Sequence, residues 1–153
     1  MGSSIPGSTV YTGAKAGIVG GRSSSDGPGP EIMAASTLQG NSVVNKLGED
    51  LGKIKEVMID VPLGSVAYAV LSSGGLLGIG DKLFAIPWAA LTLDTNRKSF
   101  VLDIDAKRLE SAPGFDKDHW PAMADPTWAS EVHSYYGQRE YYARRDEVGD
   151  RGF

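Results

Sequence analysis

The sequence predicts a mainly β domain, a small barrel or sandwich, followed by a helical, aromatic arm. Three observations carry that prediction. Between Leu38 and Asp105 short apolar runs recur at near-even spacing, each closed by glycine, proline or asparagine, which is the pattern of short strands joined by turns. Inside that span, Gly48-Glu49-Asp50-Leu51-Gly52 sets two glycines around an acidic corner, and a run with Val57 and Ile59 leaves it; a tight turn feeding a strand explains both features. Beyond the span, Trp128, Val132, Tyr135 and Tyr136 recur at helical spacing after Asp125-Pro126.

The bulk properties bound the function. A chain of 153 residues has room for one domain with ordered extensions. A net charge of −4 gives no electrostatic reason to expect nucleic acid as a partner. The absence of cysteine excludes disulfides, thiolate metal sites and cysteine nucleophiles. No stretch approaches the roughly 20 apolar residues that span a bilayer, and the start, Met1-Gly2-Ser3-Ser4-Ile5-Pro6, lacks the basic head and apolar run of a signal peptide. A cytoplasmic location is therefore expected, and Met-Gly-Ser-Ser itself has the look of a vector-derived start.

Residues 1–30 are dominated by glycine, serine and proline and end in Ser23-Ser24-Ser25-Asp26-Gly27-Pro28-Gly29-Pro30. Such a segment offers little apolar area to offset its ordering entropy, so a flexible leader is expected. Tyr11-Thr12-Gly13-Ala14-Lys15 matches the Tyr-x-x-x-Lys spacing of short-chain dehydrogenases. With only ten residues before the tyrosine it lacks the dinucleotide-binding context that chemistry needs.

The domain proper is expected over 31–115. Ile32 to Ala35 and Leu38 lead into a first strand, Ser42-Val43-Val44-Asn45, and Lys53 to Val61 is the second. There Val57, Ile59 and Val61 alternate on one face and Ile54 and Met58 on the other. Pro62-Leu63-Gly64-Ser65 turns the chain into Val66 to Leu71, apolar throughout and hence central. Gly75-Leu76-Leu77-Gly78-Ile79-Gly80 superficially resembles a phosphate-cradling loop, but the spacing is reversed and a strand, Asp81 to Pro87, follows it; a glycine-rich hairpin loop is the better reading. Pro87 introduces a helical turn at Trp88-Ala89-Ala90. Leu91-Thr92-Leu93 and Ser99 to Ile104 then form a hairpin around Asp94-Thr95-Asn96-Arg97-Lys98, with Asn96 suited to the turn.

Taken in order, these blocks resemble the PRC-barrel family, the module shared by the photosynthetic reaction centre H subunit and a ribosome maturation factor. The resemblance runs from about Leu38 to Phe115. It rests on Gly48-x-x-x-Gly52-Lys53-Ile54 with Asp60 closing the strand, on Gly74-Gly75-Leu76-Leu77-Gly78-Ile79-Gly80-Asp81-Lys82, and on Ile86-Pro87-Trp88-Ala89-Ala90-Leu91. The ending Leu109-Glu110-Ser111-Ala112-Pro113-Gly114-Phe115 is similar to that of bacterial members. The resemblance implies a small, strongly bent, mainly antiparallel barrel of about six strands, with Gly48, Gly52, Gly78, Gly80 and Pro87 at its structural turns. It also implies docking rather than turnover, with no catalytic residues and no cofactor. The transmembrane helix of the reaction centre subunit has no counterpart here. Nor has the tyrosine pair that ribosome-binding members place before the barrel, where this chain has Met33-Ala34-Ala35. A free-standing bacterial member with a C-terminal arm is the form expected.

The arm, 116–153, begins with a helix capped by Asp125, with Pro126 in its first turn and Gly137 as its stop. Its aromatics, Trp120, Trp128, Tyr135, Tyr136, Tyr141 and Tyr142, are the candidate interaction residues. They would pack on the barrel, meet an unknown protein partner, or join two copies as a homodimer. His119 and His133, the only histidines, stand near Asp116, Asp118, Asp125 and Glu131 and supply an alternative: a small-ligand or metal-binding regulatory protein. No metal-motif spacing supports it, and His133 equally suits a last helical turn, where positive charge is favourable. Asp103 and Asp105 would share one side of a strand but lack a nucleophile or histidine beside them. The chain is therefore expected not to be an enzyme but a non-catalytic interaction module.

Overall fold

The computed structural model describes residues 15–20, 29, 31–74 and 82–141. Tyr11, the glycine-rich loop 75–80 with Gly78 and Gly80, and Tyr142 lie outside them.

Among the described residues, one mixed sheet of seven strands organises the chain. In sequence order the strands are β1 (Gly17–Val19), β2 (Ser42–Val44), β3 (Asp50–Asp60), β4 (Ser65–Ser72), β5 (Leu83–Pro87), β6 (Leu91–Asp94) and β7 (Ser99–Leu102). In space they run β1-β6-β7-β2-β3-β4-β5. The pairs β2–β3, β3–β4, β4–β5 and β6–β7 are antiparallel, whereas β2–β7 and β1–β6 are parallel. The expected mainly β, mainly antiparallel fold with a helical arm is what the chain adopts. Among the described residues three helices accompany the sheet, α1 (Ala35–Leu38), α2 (Ala106–Glu110) and α3 (Pro126–Tyr135), with a single 3-10 turn at Trp88–Ala90.

β3 is the spine. At 11 residues it is long enough to pair with β2 through its first half and with β4 along nearly its whole length. Its register with β4 shifts between Ile54 and Glu56 and again between Met58 and Ile59. Each irregularity adds a residue and increases local bend and twist. Ile54 and Val57 pack in the main core while Met58 packs on the arm-side cluster, so the expectation that Ile54 and Met58 share a face is corrected; Ile59 is exposed, Val61 lies in the turn beyond, and Asp60 is buried.

The corner ahead of β3 follows the sequence closely. Gly48 and Gly52 both have positive φ, 84° and 131°. At Gly52 the backbone passes so close to β4 that an added Cβ would collide with the Ser72 carbonyl and lie 2.9 Å from Ser73 Cα. The corner is tied by Asn45, which ends β2 rather than extending it. Its buried amide donates to Glu49 Oε1 at 2.6 Å and accepts from the backbone N–H of Leu47 and Glu49 at 3.0 and 2.9 Å. An Asx-type side chain thus does locally what a longer strand would have done through the ladder.

Inside the sheet's curve, Val43, Leu51, Ile54, Leu71, Phe84, Ile86, Leu91, Phe100, Leu102 and Leu109 form the main core. β4 and β5 are buried over most of their lengths, as their unbroken apolar runs predict. In the β6–β7 hairpin the residue with φ above zero is Lys98, at 55°, and not Asn96; Asp94 Oδ1 instead accepts from the N–H of Asn96 and Arg97. β7 stops at Leu102, so Asp103 and Asp105 do not share a strand face. Asp103 pairs with Lys46 at 3.3 Å in solvent, and Asp105 caps α2 by accepting from Arg108 N at 2.7 Å.

The largest departure from expectation lies in the leader. Gly17–Val19 is a strand, parallel to β6 in the register Gly17↔Thr92, Ile18↔Leu93, Val19↔Asp94, and Ile18 is buried. An open sheet edge favours even a short extended segment that satisfies its backbone groups, and a single β-branched side chain reaching an apolar floor adds to that. For these three residues the reading of a wholly flexible leader is corrected.

Candidate functional site

Two places bring functional side-chain types together: the seam where the arm meets β4 and β5, and a groove beside β1.

The seam starts from α3. Asp125 caps it, accepting from Thr127 N; Pro126 opens it, and Gly137, at φ 68°, follows its end. These are the signals the sequence carries. The buried face comprises Ala129, Val132 and His133, with Trp128 half-buried beside them. Trp128 meets the Tyr68 ring edge-on with centroids 5.3 Å apart, and His133 and Tyr141 approach the same ring at 5.4 and 5.9 Å. Tyr68, from the middle of β4, is almost fully buried. Tyr141 closes the seam by donating its hydroxyl to Asp60 Oδ2 at 2.9 Å, while Asp60 Oδ1 accepts from Leu63 N at 3.2 Å. The aspartate that ends β3 is therefore the arm's polar anchor. Sequence reasoning missed this role, and the available signal was an acidic residue closing an apolar strand just before a Pro-Leu-Gly turn.

The arm's other aromatics are placed differently. Tyr135 lies under the Arg108 guanidinium, 4.3 Å from its ring centroid, and donates its hydroxyl to the Arg108 carbonyl; Arg108 Nη2 donates back to Tyr135 O at 2.8 Å. Tyr136 packs against both parts of the core. Burial pushes its phenol well above the ordinary value, so it stays neutral, and its hydroxyl has no hydrogen-bond partner among the described residues. Trp120 packs at a tilt against Phe115 with ring centroids 5.0 Å apart, donates Nε1–H to Lys117 O at 2.7 Å, and remains 40% exposed. Of the described candidates, then, Trp128, Tyr136 and Tyr141 face the barrel, Tyr135 faces α2, and Trp120 keeps the largest free surface.

The two histidines occupy unlike surroundings. His133 is 2% exposed, and its Nδ1 contacts Ala129 O at 2.7 Å; a carbonyl can only accept, so Nδ1 carries the proton. Burial lowers its pKa, the bond to Ala129 and the charge of Glu140 opposing that shift. The reading of His133 as a favourable positive charge in the last helical turn is corrected: it sits in the core, where burial disfavours its charged form. His119 is exposed, with Nδ1 3.4 Å from Asp116 Oδ2. The backbone N–H of Asp118, and then His119 itself, lower the Asp116 pKa. Among the described residues no group of three or more histidine, aspartate or glutamate side chains converges as a metal site would.

The second place is a groove of about 630 Å³ between the leader segment 15–18, residues 31–33 ahead of α1, the start of β4, and Trp88, Leu93 and Phe100. Its lining is predominantly apolar, with Lys15 and Glu31 the charged members. Ile32 stands 71% exposed at this groove. Trp88, in the 3-10 turn after Pro87, packs against Phe100 at 5.9 Å and so is held from beneath by the main core. The sequence gives no sign of this groove, because it forms from segments up to 85 residues apart and depends on a leader strand that composition argues against.

The family profile for the PRC-barrel domain matches residues 30–109, which is more than half of the chain. The chain belongs to the PRC-barrel family. No curated protein matches it closely enough to be named as a relative. The matched span closes inside α2, yet the barrel continues physically a few residues further. Leu83 and Phe115 exchange both backbone hydrogen bonds at 2.8 Å, an isolated bridge that ties the chain after α2 back to β5. The arm beyond Phe115 lies outside the matched span. No helix among the described residues is long and apolar enough to cross a membrane.

Proposed function

We propose that this PRC-barrel protein is a non-catalytic docking module that receives a protein partner in the groove beside β1. The observation that supports this reading is the groove's character: an apolar concavity of about 630 Å³ with Ile32 left exposed at it. A small polar substrate or a metal needs convergent polar groups, and the lining offers mostly hydrocarbon. Exposed apolar surface at a concavity is instead the usual mark of a protein contact. The arm is then a structural extension that thickens a small barrel, since Trp128, Tyr136 and Tyr141 already have partners within the chain. Placing the histidine-centred ligand site beside this reading, the burial of His133 removes one of its two proposed ligands from solvent.

The test is a paired recovery experiment. Tagged wild-type protein and Ile32→Asp are used to recover partners from the source cell, after both are shown to melt at the same temperature. A protein bound by wild type and lost on Ile32→Asp supports the groove as the docking face. The same partners recovered equally by both would remove the groove from the account.

A further inference from the structure

The leader strand is a poor fit to the place it occupies. β1 contributes three residues, one buried side chain and glycine at the position opposite Thr92. Beyond the ladder it is held by the Thr95 N–H and hydroxyl, both of which contact Val19 O, at 3.0 and 3.3 Å. Next comes Gly20, at φ 104°. The segment satisfies the edge of β6 but leaves the adjoining groove unfilled, with Ala16 and Gly17 offering almost no side chain to it although both line it. An extended segment with bulkier apolar side chains would make the same ladder and also cover Met33 and Trp88, which are only partly buried.

From this we infer that the β6 edge is a strand-acceptor site filled in cis by Gly17–Val19, and that its ligand is an extended partner peptide running parallel to β6. That peptide carries a β-branched residue where Ile18 sits and a larger apolar residue toward the groove. Strand addition to an open edge is a general mode of peptide recognition, in which the backbone ladder supplies affinity and alternate side chains supply specificity. A second copy of this chain is the less suitable occupant: its own residues 15–19 are identical and would leave the groove equally empty. The inference rests on the docking reading for its biological meaning, but the acceptor edge stands or falls by itself.

The probe is a fluorescently labelled synthetic peptide of residues 14–20 carrying Ala16→Phe, followed by anisotropy on the full chain. Ile18→Asp takes the cis strand's one buried side chain out of the apolar floor and so opens the edge. A tethered competitor acts at a high effective concentration, so the peptide is expected to bind Ile18→Asp at least about tenfold more tightly than wild type. The unmodified peptide should bind more weakly than the phenylalanine form. A second pair of variants keeps the test independent of Ile18→Asp folding. A Cβ at Gly17 would meet Thr92 Oγ1 and Cγ2 at 3.5 and 3.7 Å, close enough for a bridge in a chain that has no other cysteine. Gly17→Cys with Thr92→Cys, closed by oxidised glutathione, should bind no peptide, and reduction by dithiothreitol should restore binding.

Equal binding to the locked and reduced forms, or no saturable binding to either Ile18→Asp or the reduced pair, would overturn the inference. So would a wild-type dimer that the lock abolishes, since the edge would then serve a second copy. Peptide binding with no partner lost on Ile32→Asp would sink the docking reading and leave the acceptor edge intact. A lost partner with no peptide binding would do the reverse.

Discussion

The seam under α3 and the groove beside β1 are made from opposite materials and end in opposite states. The seam gathers the arm's rings onto Tyr68 and Asp60, and each ring has found a neighbour in the chain. The groove is bordered by a Gly-rich leader strand and leaves Ile32 in water. Aromatic residues are common anchors at protein interfaces, but they anchor a barrel to its own arm by the same physics. Whether a partner is expected at a surface depends on what remains uncovered there, not on which residue types were available. The poorer sequence therefore borders the more open surface.

The strongest way to break this comparison is through Tyr68. If the seam is structural, removing the ring on which Trp128, His133 and Tyr141 converge leaves a cavity none of them can fill. Tyr68→Ala should then cost about 3–5 kcal/mol in denaturant unfolding. A loss below about 1 kcal/mol would mean that the arm is only loosely applied. Trp128→Ala, at a half-buried site, should cost about 2–3 kcal/mol, whereas Ile32→Asp at the groove should stay within about 0.5 kcal/mol of wild type. Equal effects at the two sites would erase the distinction between them.

Much of the fold was legible because it rests on local chemistry. Gly48 and Gly52 announce the corner, Pro87 announces the 3-10 turn, and Asp125-Pro126 with Gly137 bounds α3; each signal acts within a few residues of its effect. What escaped was set by long-range pairing. The register shift between Ile54 and Glu56 puts Ile54 and Val57 against the main core and Met58 against the arm-side cluster, and periodicity within one strand does not reveal where such a bulge falls. His133 looked suited to a helix terminus, yet its surroundings are fixed by β4, more than 60 positions earlier in the chain. Gly17–Val19 looked unstructured because the edge that captures it is made by residues 92–94.

Smaller effects sharpen the account of the seam. Tyr141→Phe removes the hydroxyl that Asp60 Oδ2 accepts, inside a site where Asp60 is 5% exposed. The loss of that buried bond should cost about 1–2 kcal/mol, and hydrogen exchange should show faster opening of α3 than of β4. The pH dependence is smaller in scale and has a defined sign. Burial holds the folded pKa of His133 below its ordinary value of 6.5, so as pH falls the unfolded chain takes up the proton first. The seam's contribution should be complete above about pH 6.5 and decline as pH drops from there through the folded value. His133→Gln, which can still donate to the Ala129 carbonyl, should flatten that part of the stability profile. An unchanged profile would assign the pH dependence to the carboxylates instead.

The central claim, that the groove and not the arm is the face open to a partner, is tested most directly by site-specific photo-crosslinking in the source cell. A photoreactive side chain is placed in turn at position 32 in the groove and at position 120, the arm's most exposed tryptophan site. The account predicts a discrete protein adduct from position 32, and from position 120 none or only the diffuse background of a solvent-facing residue. A discrete adduct from position 120, with none from position 32, would contradict it and return the interaction surface to the arm.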